Sequence, residues 1–200
     1  MIGWGRFFYS YVSSHSKMHK LSAYIDDREI AYSHPAQYQV ETTSSGTRRL
    51  VVGVPGGDHL VMLKLLGTLP GPFSALYILH TSRGEGPLGR YQSPTLSHQE
   101  LATLLNDFGQ FLGHDARSDF WVHCFETEAT IVWDRHNLIF AYGPLTDYEQ
   151  ALRELGFTSG TPAIPAPHAH HYHSGYDAAA KSLLTAYDWR HSSLRPEDEQ

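Results

Sequence analysis

Cysteine, charge and long apolar runs are all scarce in this chain, and each scarcity excludes a class of protein. Cys124 is the single cysteine among 200 residues, so an internal disulfide framework is excluded and a reducing compartment is favoured. Because Cys124 lies near aromatic residues in a predicted strand, we interpret it as a small packed hydrophobic side chain rather than a nucleophile. No apolar run approaches the roughly 18 residues that a membrane-spanning helix needs. We therefore expect a cytoplasmic protein without a membrane span.

The composition predicts a globular domain rather than a disordered chain. Hydrophobic residues make up 41% and charged residues 18% of the sequence, and 200 residues are enough to bury a core. The formal net charge of −6 argues against broad binding to the phosphate backbone of nucleic acids. Protonation of the 14 histidines would reverse the sign of this charge as the pH falls through about 6.5.

The two ends of the chain differ in composition from its middle. The N-terminal segment is rich in aromatic side chains and contains no Asp or Glu. Glycines and a single arginine interrupt its apolar residues, which argues against a secretory signal and against a transit peptide. We expect residues 1–17 to be an N-terminal extension or a terminal strand, residues 18–194 to be a single α+β domain, and residues 195–200 to be a solvated tail. Met1 and Met18 are both compatible with the true start.

Three helices are predicted from start signals in which a Ser or Thr stands three residues before an acidic residue. In such a capping box the hydroxyl accepts the backbone N–H of the third helical residue, and the acidic side chain accepts an N–H in return. Apolar residues at helical spacing follow each signal, and Gly113 and Gly156 stand where the first two helices are expected to end. The signals begin at Ser97, Thr146 and Ser174, and the predicted helices cover residues 97–113, 146–156 and 174–187.

The remaining apolar stretches are typical of strands. Residues 49–54 and 60–66 flank a Pro-Gly-Gly segment and predict a β-hairpin. Residues 75–81 are mostly apolar, which indicates a central strand buried on both faces. Three further strands are joined by segments so short that they form an antiparallel meander, over residues 120–125, 130–134 and 138–142. The predicted fold class is α+β: a single domain whose antiparallel-rich sheet combines the hairpin and the three-strand meander, with one long helix and two further helices.

Four histidines lie within six residues just before the third predicted helix: His168, His170, His171 and His173. Neutral imidazole is the commonest protein ligand of transition metals, so this run predicts a site for zinc or another divalent metal. In an extended chain His168 and His170 face one way while His171 and His173 face the other, and a turn before the helix would bring three together. Asp177 is a candidate additional ligand. A hydrolytic role and a purely structural role both stay open.

The spacing His-x-His-x-x-His within this run resembles part of the metallo-β-lactamase signature, His-x-His-x-Asp-His, which also lies between a strand and a helix. Tyr172 stands where that family has an aspartate ligand, and 27 residues follow His173, which leaves little room for the family's later ligands. The resemblance covers six residues, so we assign no family from it.

A second candidate site is the glycine-rich loop over residues 81–94, between the predicted central strand and the long helix. We expect Arg83 and Arg90 either to bind an anion beside the helix start at Ser97 or to pair with surface carboxylates. This loop supports an alternative function, a non-catalytic domain of the adaptor or inhibitor kind that binds a protein partner or an anion.

Asp134 and His136 form a third candidate, because an acid and a histidine two residues apart permit acid/base chemistry. They lie in a predicted hairpin corner, where turn formation alone favours aspartate. The sequence contains no complete catalytic set of a familiar kind. The substrate or partner, and whether catalysis occurs at all, are therefore open at this stage.

Overall fold

The computed structural model describes residues 18–198, and the predicted extension over residues 1–17 lies outside the described residues. Within this range the chain forms twelve β-strands and four α-helices. The strands are β1 Leu21–Ile25, β2 Arg28–Ala31, β3 Gln37–Thr42, β4 Arg48–Gly53, β5 Phe73–Leu79, β6 Gly89–Leu96, β7 Ser118–Cys124, β8 Thr130–Trp133, β9 Leu138–Tyr142, β10 Thr158–Ser159, β11 His168–His170 and β12 Arg190–Ser192. The helices are α1 Leu60–Leu66, α2 His98–His114, α3 Leu145–Glu154 and α4 Asp177–Ala186. No helix between residues 18 and 198 has the length and apolar character needed to cross a membrane.

Nine strands form one large, mostly antiparallel sheet in the order β10-β3-β4-β9-β8-β7-β5-β6-β12, and β11, β1 and β2 form a small second sheet. Successive side chains of a strand point to opposite faces. Ala75 and Tyr77 of β5 therefore share one face, and they join buried side chains from all four helices in a single core. Ser74 and Leu76 of the same strand lie on the other face, away from the helices. The mixed α/β class is confirmed, with a larger sheet and one more helix than predicted.

The long helix α2 begins where the sequence predicts. The Ser97 hydroxyl accepts the backbone N–H of Glu100 at 3.3 Å, and the Glu100 carboxylate accepts the backbone N–H of Ser97 at 2.8 Å. The helix continues through Gly113 to His114, so Gly113 is not its terminator. Instead Gly113 packs against Gly57, where a Cβ on either residue would overlap the carbonyl group of the other. Glycine is required here because two backbones approach closely.

The other two predicted capping boxes do not form, although helices lie close to both. α3 begins at Leu145, one residue before Thr146, and its start has no side-chain cap. Ser174 opens a short 3₁₀ turn, and α4 begins after that turn at Asp177. The Asp177 carboxylate binds two arginines instead of the helix N-terminus. Neither of these two helices therefore starts with the side-chain cap that the sequence predicts.

The predicted hairpin over residues 49–66 is wrong in its second half. Residues 60–66 form helix α1, and Pro55–Gly57 is a 3₁₀ turn. A short apolar run fits a buried strand and a buried helix equally well, so periodicity alone could not decide. The structure shows helical spacing, because the buried residues are adjacent pairs one turn apart: Val61, Met62, Leu65 and Leu66. Strand β4 pairs instead with β3 and β9.

The central strand and the meander are confirmed. β5 lies between β6 and β7, and β7, β8 and β9 follow one another in antiparallel pairs. The loop predicted over residues 81–94 is shorter, because Gly89–Leu96 forms β6 and Arg90 lies on that strand. In the tail that the sequence predicts to be solvated, Asp198 is buried and forms an ion pair with Arg90. Cys124 is a free and buried thiol.

Candidate metal centre

The four-histidine run divides into two pairs. His168 and His170 lie on β11, which pairs with β1 at Ala23 and Leu21, and residues two apart on a strand share a face. Their ring centres are 5.2 Å apart. His171 and His173 form the other pair, with ring centres 6.2 Å apart and nearly parallel planes. The alternation of an extended chain therefore separates the four imidazoles into two groups.

A third imidazole joins the first pair from a distant part of the chain. His136 lies in the turn between β8 and β9, and its ring centre is 5.3 Å from that of His168 and 4.7 Å from that of His170. One nitrogen from each of the three rings lies within 4.8 Å of the others. Among the residues 18–198, this is the one group of three or more His, Cys, Asp or Glu side chains with such convergence. We call it the histidine cluster.

Asp134 fixes the orientation of His136 through the turn itself. Its Oδ1 accepts the backbone N–H groups of His136 and Leu138 at 2.9 and 2.8 Å, and its Oδ2 accepts Nδ1–H of His136 at 2.8 Å. Asn137 completes the turn in the left-handed region, with φ of 58°. With the proton on Nδ1, Nε2 of His136 presents a lone pair, as a metal-ligating histidine requires.

The other two rings also have a nitrogen free for a ligand. Nδ1 of His168 lies 3.0 Å from the carbonyl oxygen of Pro165, to which it donates, and this places the lone pair on Nε2. Nε2 of His170 is buried and has no hydrogen-bond partner among the described residues. A buried nitrogen left without a partner is uncommon in a native structure and calls for a physical reason. A shared cation would satisfy all three nitrogens at once.

The electrostatic environment keeps His170 neutral. Burial, followed by the nearby His136, His168 and Arg135, lowers the pKa of His170 to about 4, while Asp134 acts in the opposite direction. Neutral imidazole is the form that binds metals, so this ring is ready to coordinate at neutral pH. A set made only of nitrogen ligands suits zinc, copper or nickel rather than magnesium or calcium.

His171 and His173 lie outside the histidine cluster. Nε2 of His171 contacts both Ser22 Oγ at 2.7 Å and Glu29 Oε1 at 2.9 Å. Because both contacts involve the same nitrogen, these three side chains cannot relay a proton in the manner of a catalytic triad. His173 donates from Nε2 to the carbonyl oxygen of His19 at 2.9 Å. These two histidines tie the segment that follows β11 to β1, to β2 and to the residue that precedes Lys20.

Asp177, Arg83 and Arg90 also lie away from the histidine cluster. Asp177 accepts hydrogen bonds from Arg83 at 2.9 Å and from the fully buried Arg117 at 3.0 Å. Arg90 pairs instead with the buried Asp198. The two arginines of the predicted anion-binding loop therefore have different carboxylate partners.

A cavity of about 610 Å³ borders the histidine cluster at His136. Its lining includes Lys20, His34 and Tyr176 and contains no Asp or Glu among the described residues. His34 donates from Nε2 to the carbonyl oxygen of His136 at 2.8 Å, and its buried Nδ1 has no partner among the described residues. Burial lowers the pKa of His34, so its ring is neutral. The cavity gives a small molecule a way to reach the turn that carries His136.

Sequence reasoning named Asp134 and His136 as an acid/base pair and missed that His136 completes a cluster with His168 and His170. The available signal was the Asp-x-His spacing, in which a carboxylate holds Nδ1 of the histidine. The contact of His136 with β11 depends on how the small sheet packs, and no local sequence pattern shows this packing. Comparison with protein-family models, with curated proteins and with solved structures finds no match to this chain.

Proposed function

We propose that this protein binds a divalent transition metal, with zinc as the default ion, through Nε2 of His136, His168 and His170. The observation that carries the proposal is the convergence of three imidazole nitrogens within 4.8 Å of one another. Atoms so placed lie at most about 2.8 Å from a common centre, and zinc–nitrogen bonds of about 2.0–2.1 Å need each to move inward by roughly 0.7 Å. Small side-chain rotations supply such a shift.

Hydrogen bonds to the remaining ring nitrogens support the proposal. Asp134 holds Nδ1 of His136, and the carbonyl oxygen of Pro165 holds Nδ1 of His168. Such outer partners fix the ring orientation and raise the basicity of the ligand nitrogen. The metal would therefore meet two rings, those of His136 and His168, that are already oriented, so little side-chain entropy is lost in these two ligands when it binds.

Three protein ligands leave a fourth coordination position for water, and His168 is exposed, so solvent can reach that position. This is the ligand number of catalytic rather than structural zinc sites. The chemistry that such a centre supplies is a bound water with a lowered pKa, so hydrolysis is the reaction class we assign to it. The cavity beside His136 is where a substrate would lie.

The test is zinc binding by protein purified without an affinity tag and stripped of metal with a chelator. Zinc is then added in competition with a chromophoric chelator, which reports stoichiometry and affinity. We expect one equivalent of zinc to bind and to raise the melting temperature, because a ligand specific for the folded state stabilises it.

His168→Gln and His171→Gln form a matched pair for this experiment. Both histidines come from the same run, but His168 belongs to the histidine cluster and His171 faces Ser22 and Glu29. We expect His168→Gln to weaken zinc binding at least tenfold and His171→Gln to leave it close to wild type. Equal affinities in the two folded variants, or the absence of stoichiometric zinc in the wild type, would overturn the proposal.

A further inference from the structure

The face of the large sheet that points away from the helices carries a pocket of about 510 Å³ between β5, β6, β7 and β12. We call it the sheet-face pocket and define it by Leu76, Arg90, Trp121, Phe125, Arg190 and Arg195. It shares no residue with the histidine cluster. Its size lies within the range of about 300–1,000 Å³ that is usual for small-molecule sites.

Basic side chains line this pocket, and no Asp or Glu does among the described residues. Three arginines and two histidines contribute to its lining. Arg90 pairs with the buried Asp198, and Arg195 lies 4.0 Å from Glu197, at the outer limit of an ion pair. Guanidinium groups of this kind recognise the oxygens of phosphate and carboxylate groups by paired hydrogen bonds.

Arg190 carries the charge that the protein itself leaves uncompensated. Its Nη2 donates to Oε1 of Gln92 at 2.6 Å, and within residues 18–198 it forms no ion pair with a carboxylate. Gln92 lies on β6 directly opposite Arg190 in the sheet, so the neighbouring strand holds the guanidinium in place. A cation oriented in this way at the mouth of a pocket favours an anionic ligand.

Aromatic rings form the other part of the wall. Phe125 is 48% exposed, and Arg90 lies 5.9 Å from the ring centre of Trp121. Exposed rings beside arginines bind planar groups by stacking.

We propose that the sheet-face pocket binds a small organic phosphate that carries a planar ring, the chemistry of a nucleoside monophosphate. The phosphate lies between Arg190 and Arg195, and the ring lies against Phe125 and Trp121. The formal net charge of −6 opposes a long polyanion, so a single nucleotide is the occupant that the observations favour. This site is independent of the proposed metal site.

The test is calorimetric titration of the whole chain, in the presence of a chelator, with three probes: adenosine monophosphate, inorganic phosphate and a single-stranded hexanucleotide. We expect adenosine monophosphate to bind best and inorganic phosphate to bind more weakly, because it lacks the ring. A hexanucleotide that binds more tightly than the monophosphate would overturn the small-ligand assignment. No measurable binding of adenosine monophosphate would overturn the proposal altogether.

Variants at exposed positions separate the two contacts without threatening the fold. Arg190→Gln and Arg195→Gln should each weaken both adenosine monophosphate and inorganic phosphate about tenfold. Phe125→Ala should weaken adenosine monophosphate and leave inorganic phosphate unchanged. Arg48→Gln is the matched control, since Arg48 is exposed and points to the opposite face of the sheet from its neighbour Arg49. Equal losses in Arg48→Gln and Arg190→Gln would show a nonspecific charge effect and contradict the assignment.

Discussion

Nδ1 of His136 donates to Oδ2 of Asp134 across 2.8 Å, while Oδ1 of the same carboxylate accepts two backbone N–H groups of the β8–β9 turn. One aspartate thus shapes the turn and sets the tautomer of the imidazole. The two roles use different oxygens, so a substitution can separate them.

Asp134→Asn should weaken zinc binding about 10- to 100-fold while preserving the fold. The asparagine carbonyl oxygen replaces Oδ1 in the turn, and its NH₂ group then faces Nδ1 of His136. A donor at that position favours the tautomer with the proton on Nε2, which removes the ligand lone pair. Competition with a chromophoric chelator measures the change, and Asp107→Asn, at an exposed aspartate of α2, should have no effect. A folded Asp134→Asn protein with wild-type zinc affinity would count against the assigned tautomer.

Lys20 is 2% exposed, and its Nζ donates to the carbonyl oxygen of Asp134 at 3.1 Å and lies 5.3 Å from the ring centre of Trp133. Burial lowers the pKa of Lys20 from 10.5 to about 8, although Asp134, Asp119 and Asp115 act to raise it. A charged ammonium group is therefore buried at neutral pH with incomplete compensation, which lowers the stability of the folded state.

The free energy of unfolding should reveal this cost as a dependence on pH. Between pH 8 and 10.5 Lys20 binds a proton in the unfolded chain and not in the folded one, so its contribution to stability rises with pH across that window. Lys20→Met removes the titration. We therefore subtract the free energy of unfolding of the wild type from that of the variant. This difference should be about 3 kcal/mol smaller above pH 10.5 than below pH 8. Urea denaturation in the presence of a chelator measures both proteins, and a difference that does not change with pH would refute the prediction.

The two capping boxes predicted at Ser97 and Thr146 should behave differently when they are removed. Ser97→Ala should lower the free energy of unfolding by about 1 kcal/mol, because its hydroxyl accepts the backbone N–H of Glu100. Thr146→Ala should change it by less than about 0.5 kcal/mol, since Thr146 is exposed and α3 begins before it without a side-chain cap. Urea denaturation compares the two, and an equal cost would contradict the observed start of α3.

These helices show which parts of the fold a sequence can predict. α2 has a complete capping box and a long apolar face, so local signals agree with the tertiary structure and the prediction holds. Residues 60–66 show no alternation of polar and apolar side chains and are too few to distinguish a strand from a helix. Only packing against the core makes them helix α1. Strands β1 to β3 were missed because exposed and mixed residues, as in Arg28–Ala31, give a weak pattern.

The candidate site, like the fold, could be predicted from the sequence only in part. The alternation of a strand was enough to pair His168 with His170. Their convergence with His136 depends on β11 pairing with β1 and on where the small sheet lies against the β8–β9 turn. Such long-range packing leaves no periodic trace in the sequence, so the density of histidines led to the strand that carries two members of the histidine cluster and not to His136.

Gly113→Ala should lower the free energy of unfolding by more than about 2 kcal/mol, and Gly67→Ala should not. A methyl group on Gly113 would overlap the carbonyl group of Gly57, and a clash with backbone is relieved only when the helix and the 3₁₀ turn move apart. Gly67 follows the last residue of α1 with φ of −64°, and its added Cβ would lie 3.4 Å from the carbonyl oxygen of Lys64, an ordinary van der Waals contact. Alanine there should raise stability slightly, by about 0.4–1 kcal/mol, since it restricts the unfolded chain. Urea denaturation of the two variants decides the point. A Gly113→Ala protein as stable as wild type would show that this close backbone contact does not hold α2 against the 3₁₀ turn, whose glycines line the cavity beside His136.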